Sequence, residues 1–404
     1  MFAHVTSTLS DTPACQDMHE AKPGRLFGIM ASTPSLTQMR TTREKSGSTF
    51  TRYALPRGSF GENRVLLATS FILTCGTIIL SQPNSIVATE RADALPGLQV
   101  EVLDPVAAGL PALAAVGGSS AQAPRLIVLR HDSADAPERP RVALVGKAVT
   151  FDAGGYFLKQ QSDIVRQKGD MGGGAAVLAA MGAIAELALP LNVIGVLPAC
   201  ENMVGPDAIR PSDVIETAAG LTVEVTNPDA EGRLILADAL WFARRDGATH
   251  VIDLATLTGA MRAGMGDLFA GVFGNDDNWR DAIVDAGTSV GDLAWPWPMH
   301  PRYDRLLESR VADLRNTSGR PYGYPITAAA FLQRFAGEGP WAHVDMLGPA
   351  LLDDDRGDAF GAGASGYGVR LLVEVASRLA DAVRRGAKME GGLDAFRRQQ
   401  ADDD

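Results

Sequence analysis

RVALVGKAVTFDAGGYFLK, residues 141–159, is the stretch from which the fold is read. Arg141 to Gly146 is a short apolar run closed by a charge, the pattern of a strand buried on both faces. Lys147 and Asp152 stand where that run ends, beside Gly154 and Gly155, and strand ends are where open α/β sheets place their ligands. Outward from it, strand-like runs at 125–130, 191–198, 222–226 and 250–255 alternate with helical runs at 175–187 and 234–245. Leu371 to Arg384 reads as a closing amphipathic helix. The alternation predicts an α/β fold, a mixed, largely parallel sheet flanked by helices. No internal repeat is evident.

The chemistry-bearing residues sit at breaks in apolar sequence. Lys147, Asp152, Lys159 and Asp170 are followed by Asn-Pro-Asp-Ala-Glu-Gly-Arg at 227–233. Asp170 leads through Met-Gly-Gly-Gly into the helical run Ala175 to Leu187, and Asp229 and Glu231 lead into Leu234 to Phe242. In an irregular turn those last two carboxylates can converge, whereas positions i and i+2 of a regular helix face apart. Burying such groups unpaired costs several kcal/mol each. Two divalent cations would balance Asp152, Asp170, Asp229 and Glu231. None of the six histidines lies in His-Glu-x-x-His spacing, so a site built on oxygen ligands suits Zn²⁺, Mn²⁺ or Mg²⁺.

Taken singly, each residue has a plainer reading. Lys147 alone is a lysine at a strand end, Lys159 a loop lysine and Arg233 a helix-surface arginine, while Asp170 or Asp229 alone is a helix N-cap. The set and its spacing argue for a site. Gly172 to Gly174 do not make a phosphate loop, because Arg141 stands where the Walker glycine belongs and Ala148 where Ser or Thr is required.

These segments resemble the leucine aminopeptidase family of two-metal exopeptidases. The resemblance is carried by GKAVTFDAGGYFLK at 146–159, DMGGGAAVL at 170–178, NPDAEGRLILADAL at 227–240 and VIDLATLTGA at 251–260, and continues through ADLRNTSG at 312–319, ITAAAFL at 326–332, WAHVDMLG at 341–348 and GYGVRLL at 366–372. It covers roughly residues 94–380. It implies a metallo-exopeptidase catalytic domain over residues 94–385, with an N-terminal segment at 1–93 in place of the family's usual N-terminal domain and a polar tail at 386–404. It implies that Lys147, Asp152, Asp170, Asp229 and Glu231 hold the metals, with Lys147 as a neutral amine, and that Lys159 and Arg233 are catalytic. Substrate contacts fall by resemblance on Gln167, Asn227, Thr256, Leu257 and Gly259.

The implied reaction removes N-terminal amino acids from peptides with metal-activated water. Lys159 stabilises the oxyanion, and bicarbonate held by Arg233 shuttles the proton. Manganese or zinc, or magnesium, is the expected metal, and the assembly expected by resemblance is a hexamer. The alternatives are a dipeptidase of Cys-Gly type on the same site, and a non-catalytic scaffold or nucleic-acid-binding relative. Against the latter, every presumed site residue is present. Ala148 replaces the family's usual glycine, Ala153 its serine and Pro228 its threonine. Gln167 stands where the family has an apolar methionine, so a broader or more polar preference than leucine is expected.

Composition bounds the rest. With 404 residues, 46% of them hydrophobic, the chain has material for one large α/β domain plus something smaller. The net charge of -11 disfavours nucleic acid, which requires clustered positive charge. Three cysteines, Cys15, Cys75 and Cys200, have neither metal nor disulfide spacing, in keeping with a reducing, cytoplasmic location. Met1 to Arg64, rich in Ser, Thr, Gly and Pro, reads as loosely structured. Val65 to Leu80 is apolar, but its sixteen residues fall short of the roughly 20 needed to cross a bilayer, so a buried strand pair or core helix is expected and no membrane partner. No apolar segment follows the first residues as a secretory signal requires. The Ser, Thr and Arg content there faintly resembles a transit peptide, against which stand Asp11, Asp17 and Glu20.

Overall fold

The computed structural model describes residues 40–43, 49–52, 97–356 and 361–385. The expectations for Val65 to Leu80 and for the 386–404 tail lie outside them. The chain divides into two units. Of the first, Met1–Gly58, the described part is an antiparallel hairpin, β1 (Arg40–Arg43) against β2 (Thr49–Arg52).

The second unit is built around a nine-stranded sheet that includes β3 (Leu98–Leu103), β4 (Arg125–His131), β5 (Arg141–Gly146), β6 (Ala148–Asp152), β7 (Asn192–Asn202) and β10 (His250–Ala255). β11 (Ala270–Gly274), β12 (Ala294–Pro296) and β14 (Trp341–Asp345) complete it, in the order β12-β11-β14-β10-β5-β7-β4-β3 with β6 paired to β7. The four central strands β14, β10, β5 and β7 are mutually parallel, and antiparallel pairs occur only toward the edges. The sheet is mixed and largely parallel, as the sequence predicts. The 222–226 run is the exception: β9 (Thr222–Glu224) joins β8 (Val214–Glu216) and β13 (Leu314–Arg315) in a separate small sheet.

Side-chain alternation sorts the core into two layers. Leu144, Ile252 and Val344 point to the face covered by α2 (Gly172–Glu186), α5 (Asp277–Val290) and α7 (Val369–Arg384), and Ala143, Val145 and Val251 to the face covered by α1 (Pro111–Gly117), α3 (Gly232–Arg245) and α6 (Tyr324–Gln333). α4 (Gly259–Met265) follows β10. α7 buries Leu371, Leu372, Val375 and Leu379 while its Arg384 end reaches solvent, the amphipathic closing helix expected.

One local feature creates the site. β5 pairs with β7 on one side and β10 on the other, but β6, its continuation past Lys147, stays with β7 alone. The sheet therefore forks between β6 and β10, and the first turn of α2 enters the fork. The amide of Gly174 donates to Lys147 O at 2.7 Å, and the amide of Lys147 to Leu254 O at 3.0 Å. Only glycine fits so close. A Cβ on Gly146 would stand 2.5 Å from Gly173 O, and one on Gly173 2.1 Å from Leu254 O. A Cβ on Gly174 would meet the Cβ of Ala148 at 2.7 Å, so the methyl of Ala148 is accommodated because residue 174 has none.

Candidate metal centre

Four chain segments deliver charge into the fork. Lys147, at the one-residue break between β5 and β6, is 3% exposed, with Nζ 2.8 Å from both Asp170 Oδ2 and Glu231 Oε1. It also donates to Thr256 O at 3.2 Å. A side chain at residue 232 would displace the Lys147 ammonium, since its Cβ would stand 2.7 Å from Nζ. Asp152 ends β6; its Oδ1 accepts from Gly154 N and Asn202 Nδ2, each at 2.8 Å, and its Oδ2 lies 2.7 Å from Lys159 Nζ. Lys159 also pairs with Asp229. Asp170, between a single 3-10 turn and α2, accepts from Thr256 Oγ1 at 2.8 Å.

The 227–233 turn is held from outside. Asn227 Oδ1 accepts from Asp229 N at 2.9 Å, an Asx turn that aims the Asp229 carboxylate. Asn316, itself fully buried, accepts from Thr226 N and Asn227 N and donates to Asn227 O at 2.7 Å. Asn202 donates to Pro228 O at 3.1 Å as well as to Asp152, tying the turn to β6. Glu231 occupies the N-cap position of α3.

The electrostatics follow from that crowding. Burial lowers the Lys147 pKa, but Asp170, Glu231 and Asp152 outweigh it and hold the ammonium above the ordinary lysine range. Lys159 is raised in the same way, burial being outweighed by Asp152, Glu231 and Asp229. Burial raises Asp170 well above the carboxylate range and, with repulsion from Asp152, brings Asp229 to about 6. Lys147 is thus an ammonium among these carboxylates; the neutral amine that the resemblance implies requires a divalent cation in place of the proton.

The donor set fits such cations. Oxygens of Asp152, Asp229 and Glu231 lie within 4.8 Å of one another. Glu231 Oε2 is buried without a hydrogen-bond partner, and Asp170 Oδ2, Asp229 Oδ1 and Glu231 Oε1 face ammonium groups without a well-directed hydrogen bond. A buried carboxylate oxygen with no donor is costly, and a cation relieves it.

The cluster floors a cleft of about 560 Å³, whose walls include Phe157, Leu158, Gln167, Leu257, Tyr324 and Leu351. Thr256, Leu257 and Gly259 line it, as does Gln167. Asn227 and Arg233 stand behind it. Asn227 supports Asp229 and reaches Tyr324 Oη at 3.5 Å. Arg233 is 1% exposed, donates from Nη1 to Asn316 O at 2.7 Å, and lies 5.1 Å from the Tyr324 ring centroid with Nε unpartnered. Burial lowers its pKa.

Three supporting residues escape a reading of the sequence. Asn202 and Asn316 are the clamps described above. Asp345, at the end of β14, accepts from Leu257 N, Thr258 N and Leu347 N and, at 2.6 Å, from Thr258 Oγ1, fixing the loop that lines the cleft. The residues of the ADLRNTSG and WAHVDMLG stretches hold that signal without a partner being nameable.

Residues 78–373 match the catalytic domain of the cytosol aminopeptidase family. The chain belongs to that family. Within it, the chain is 47% identical over 267 residues to the "Probable cytosol aminopeptidase" of Geobacter sulfurreducens, covering 66% of this chain and 53% of the relative. It is 46% identical over 284 residues to that of Chlorobaculum tepidum, covering 69% and 56%. The chain thus spans about half the length of the curated family members it matches. Among solved structures it is similar to the "Bottromycin maturation enzyme BotP in complex with Mn", with a TM-score of 0.75 and 36% identity, over 80% of this chain and 73% of that one. Among the described residues no helix is long and apolar enough to cross a membrane.

Proposed function

We propose that the chain is a metal-dependent aminopeptidase that removes N-terminal amino acids from peptides. The observation that carries the reading is Glu231, whose carboxylate is buried beside Asp152 and Asp229 and shares Lys147 with Asp170, with one oxygen unpartnered. Lys147, Asp152, Asp170, Asp229 and Glu231 would hold two divalent cations. Manganese or zinc suits these ligands, with magnesium a third choice, and the manganese in the BotP structure supports the first. Bound there, the cations would polarise the scissile carbonyl and lower the pKa of the attacking water.

The chain's own groups supply the rest. Lys159, charged and at the cleft wall, would stabilise the developing oxyanion. Asp345 and Asn316 keep the Leu257 loop and the 227–233 turn fixed while charge moves between them. Arg233, with its free buried Nε, would hold bicarbonate as a proton carrier between water and leaving amine. The substrate's amine end would lie at the Lys147 and Asp170 side, and since only a chain's first residue offers a free amine there, cleavage after that residue follows. Residues 94–385 are the catalytic domain in this reading, hexameric assembly and a cytoplasmic location come with the family resemblance, and the acidic net charge favours peptide over nucleic-acid substrates.

The test is hydrolysis of amide-blocked aminoacyl substrates by the purified protein, stripped by chelation and then restored with Mn²⁺, Zn²⁺ or Mg²⁺. Activity is expected to vanish on stripping and to return with metal. Hydrolysis indifferent to chelation would overturn the proposal.

A further inference from the structure

The cleft ends in two cationic side chains that the proposed reaction does not use. Arg166 and Arg262, the latter in α4, both line it and are each about one third exposed, at 33% and 32%. Asp353 braces them from outside the cleft: its Oδ2 lies 2.5 Å from Arg262 Nη2 and its Oδ1 pairs with Arg166, which also donates to Leu351 O at 3.5 Å. Hydrogen bonding from Arg262 and Arg166 holds the Asp353 carboxyl below the ordinary range. Two guanidiniums thus share one carboxylate, and Arg262 Nε and Nη1 are left without a protein partner among the described residues. The other acid at this end, Asp163, is exposed, so its charge is solvated and screened.

This end of the cleft adjoins the position of the substrate's first residue. Leu351 packs against Gly169, where a Cβ would stand 3.4 Å from its Cδ2, and Gly169 precedes Asp170. Thr256, whose hydroxyl donates to Asp170, lies on the same wall as Gly259. Gln167, adjacent to Arg166 in the chain, lines the same cleft, its amide donating to Asp163 O at 3.0 Å. One amide and two guanidiniums therefore line the same cleft as Lys147 and Asp170, where the amine end is proposed to lie.

We infer that this pocket selects peptides whose first residue is Asp or Glu, the side-chain carboxylate being received by Arg166 and Arg262. The inference deepens the aminopeptidase reading and rests on it. Guanidinium recognises carboxylate in planar, two-point fashion and is stronger than a neutral pair. A leucine side chain there would cover the two cations and return no hydrogen bond.

The experiment is a panel of amide-blocked substrates of Asp, Glu, Leu and Met, in which the side chain holds the only carboxylate, assayed on the metal-restored protein. Glu and Asp are expected to exceed Leu and Met in kcat/KM, and Arg262→Leu or Arg166→Leu to lower the Glu-to-Leu ratio about tenfold or more. Arg262→Lys should recover part of the ratio. Calorimetric titration with glutamic acid α-amide and with leucinamide reads the same pocket without turnover, and tighter binding of the former is expected. Leu preferred over Glu in both the panel and the titration overturns the inference while leaving the peptidase reading intact. A protein that hydrolyses none of the substrates yet binds the glutamic amide tighter fails the peptidase reading and keeps the pocket.

Discussion

Two buried residues away from the metal centre tilt the pH dependence of stability in opposite directions. His250, edge-on to Trp279 at 5.1 Å between ring centroids and 3.0 Å from Thr249 Oγ1, is held neutral by burial and by Arg244, with its pKa lowered to about 4. As pH falls from the unfolded value near 6.5 through about 4, the unfolded chain takes up a proton that the folded one refuses, so stability is lost on the acid side, by about 3 kcal/mol in all. His250→Gln should abolish that loss in urea denaturation followed across pH 4 to 7; an unchanged pH slope sinks the argument. Asp238 acts the other way. Its oxygens accept from Leu113 N at 3.0 Å and Ala218 N at 2.7 Å, and burial raises it to about 6. The folded state then holds a proton that the unfolded state has released, so this group's contribution falls as pH rises from about 4 to about 6 and is level above. Asp238→Ala removes the slope but leaves two N–H groups unpaired and costs about 2 to 4 kcal/mol at neutral pH, to be read from the same denaturation curves.

At the scale of elements, the fork between β6 and β10 sets what can be substituted. Gly174→Ala would drive a methyl into the Cβ of Ala148, 2.7 Å away, an overpacking of about 1 to 3 kcal/mol. In the double variant Gly174→Ala with Ala148→Gly that clash is gone. A double-mutant cycle should therefore give a coupling of at least about 1 kcal/mol, and additive losses would show that the helix is not seated in the fork as described. The fork also marks how far the sequence could be read. β5 and β10 were legible to the residue, since short runs apolar on both faces have few other homes, and Lys147, where β5 ends, was legible with them. β6 was not, because Ala148–Asp152 pairs on one side only and carries the site residues that mark an end. The 222–226 run was placed in the wrong sheet, its three paired residues being too few to distinguish a small sheet from a central strand. Asn316 and Asp345 were invisible as clamps, because the groups they hold are some 90 residues away along the chain.

Across the whole molecule, the centre joins segments distant in sequence: β6, the start of α2, the 227–233 turn and the loop after β10. Four acids crowd two ammoniums in a buried space, and even with Asp170 holding its proton the acids outnumber the ammoniums, so that repulsion works against the native packing of all four segments. A divalent cation bound only by the folded chain stabilises it by mass action, about 2.7 kcal/mol at a hundred times its Kd. Mn²⁺ or Zn²⁺ should therefore raise the Tm of the chelator-stripped protein, and hydrogen exchange should slow together at residues 152–154, 227–233 and 256–258, although they are distant in sequence. Glu231→Gln tests the cause. It keeps the shape and removes one negative charge from the cluster, the one paired with Lys147, so the Tm of the stripped protein should hold or rise while the gain with metal shrinks by several degrees. A metal response that survives Glu231→Gln at full size would place the cations elsewhere, and the slow exchange would then have to follow them to other segments.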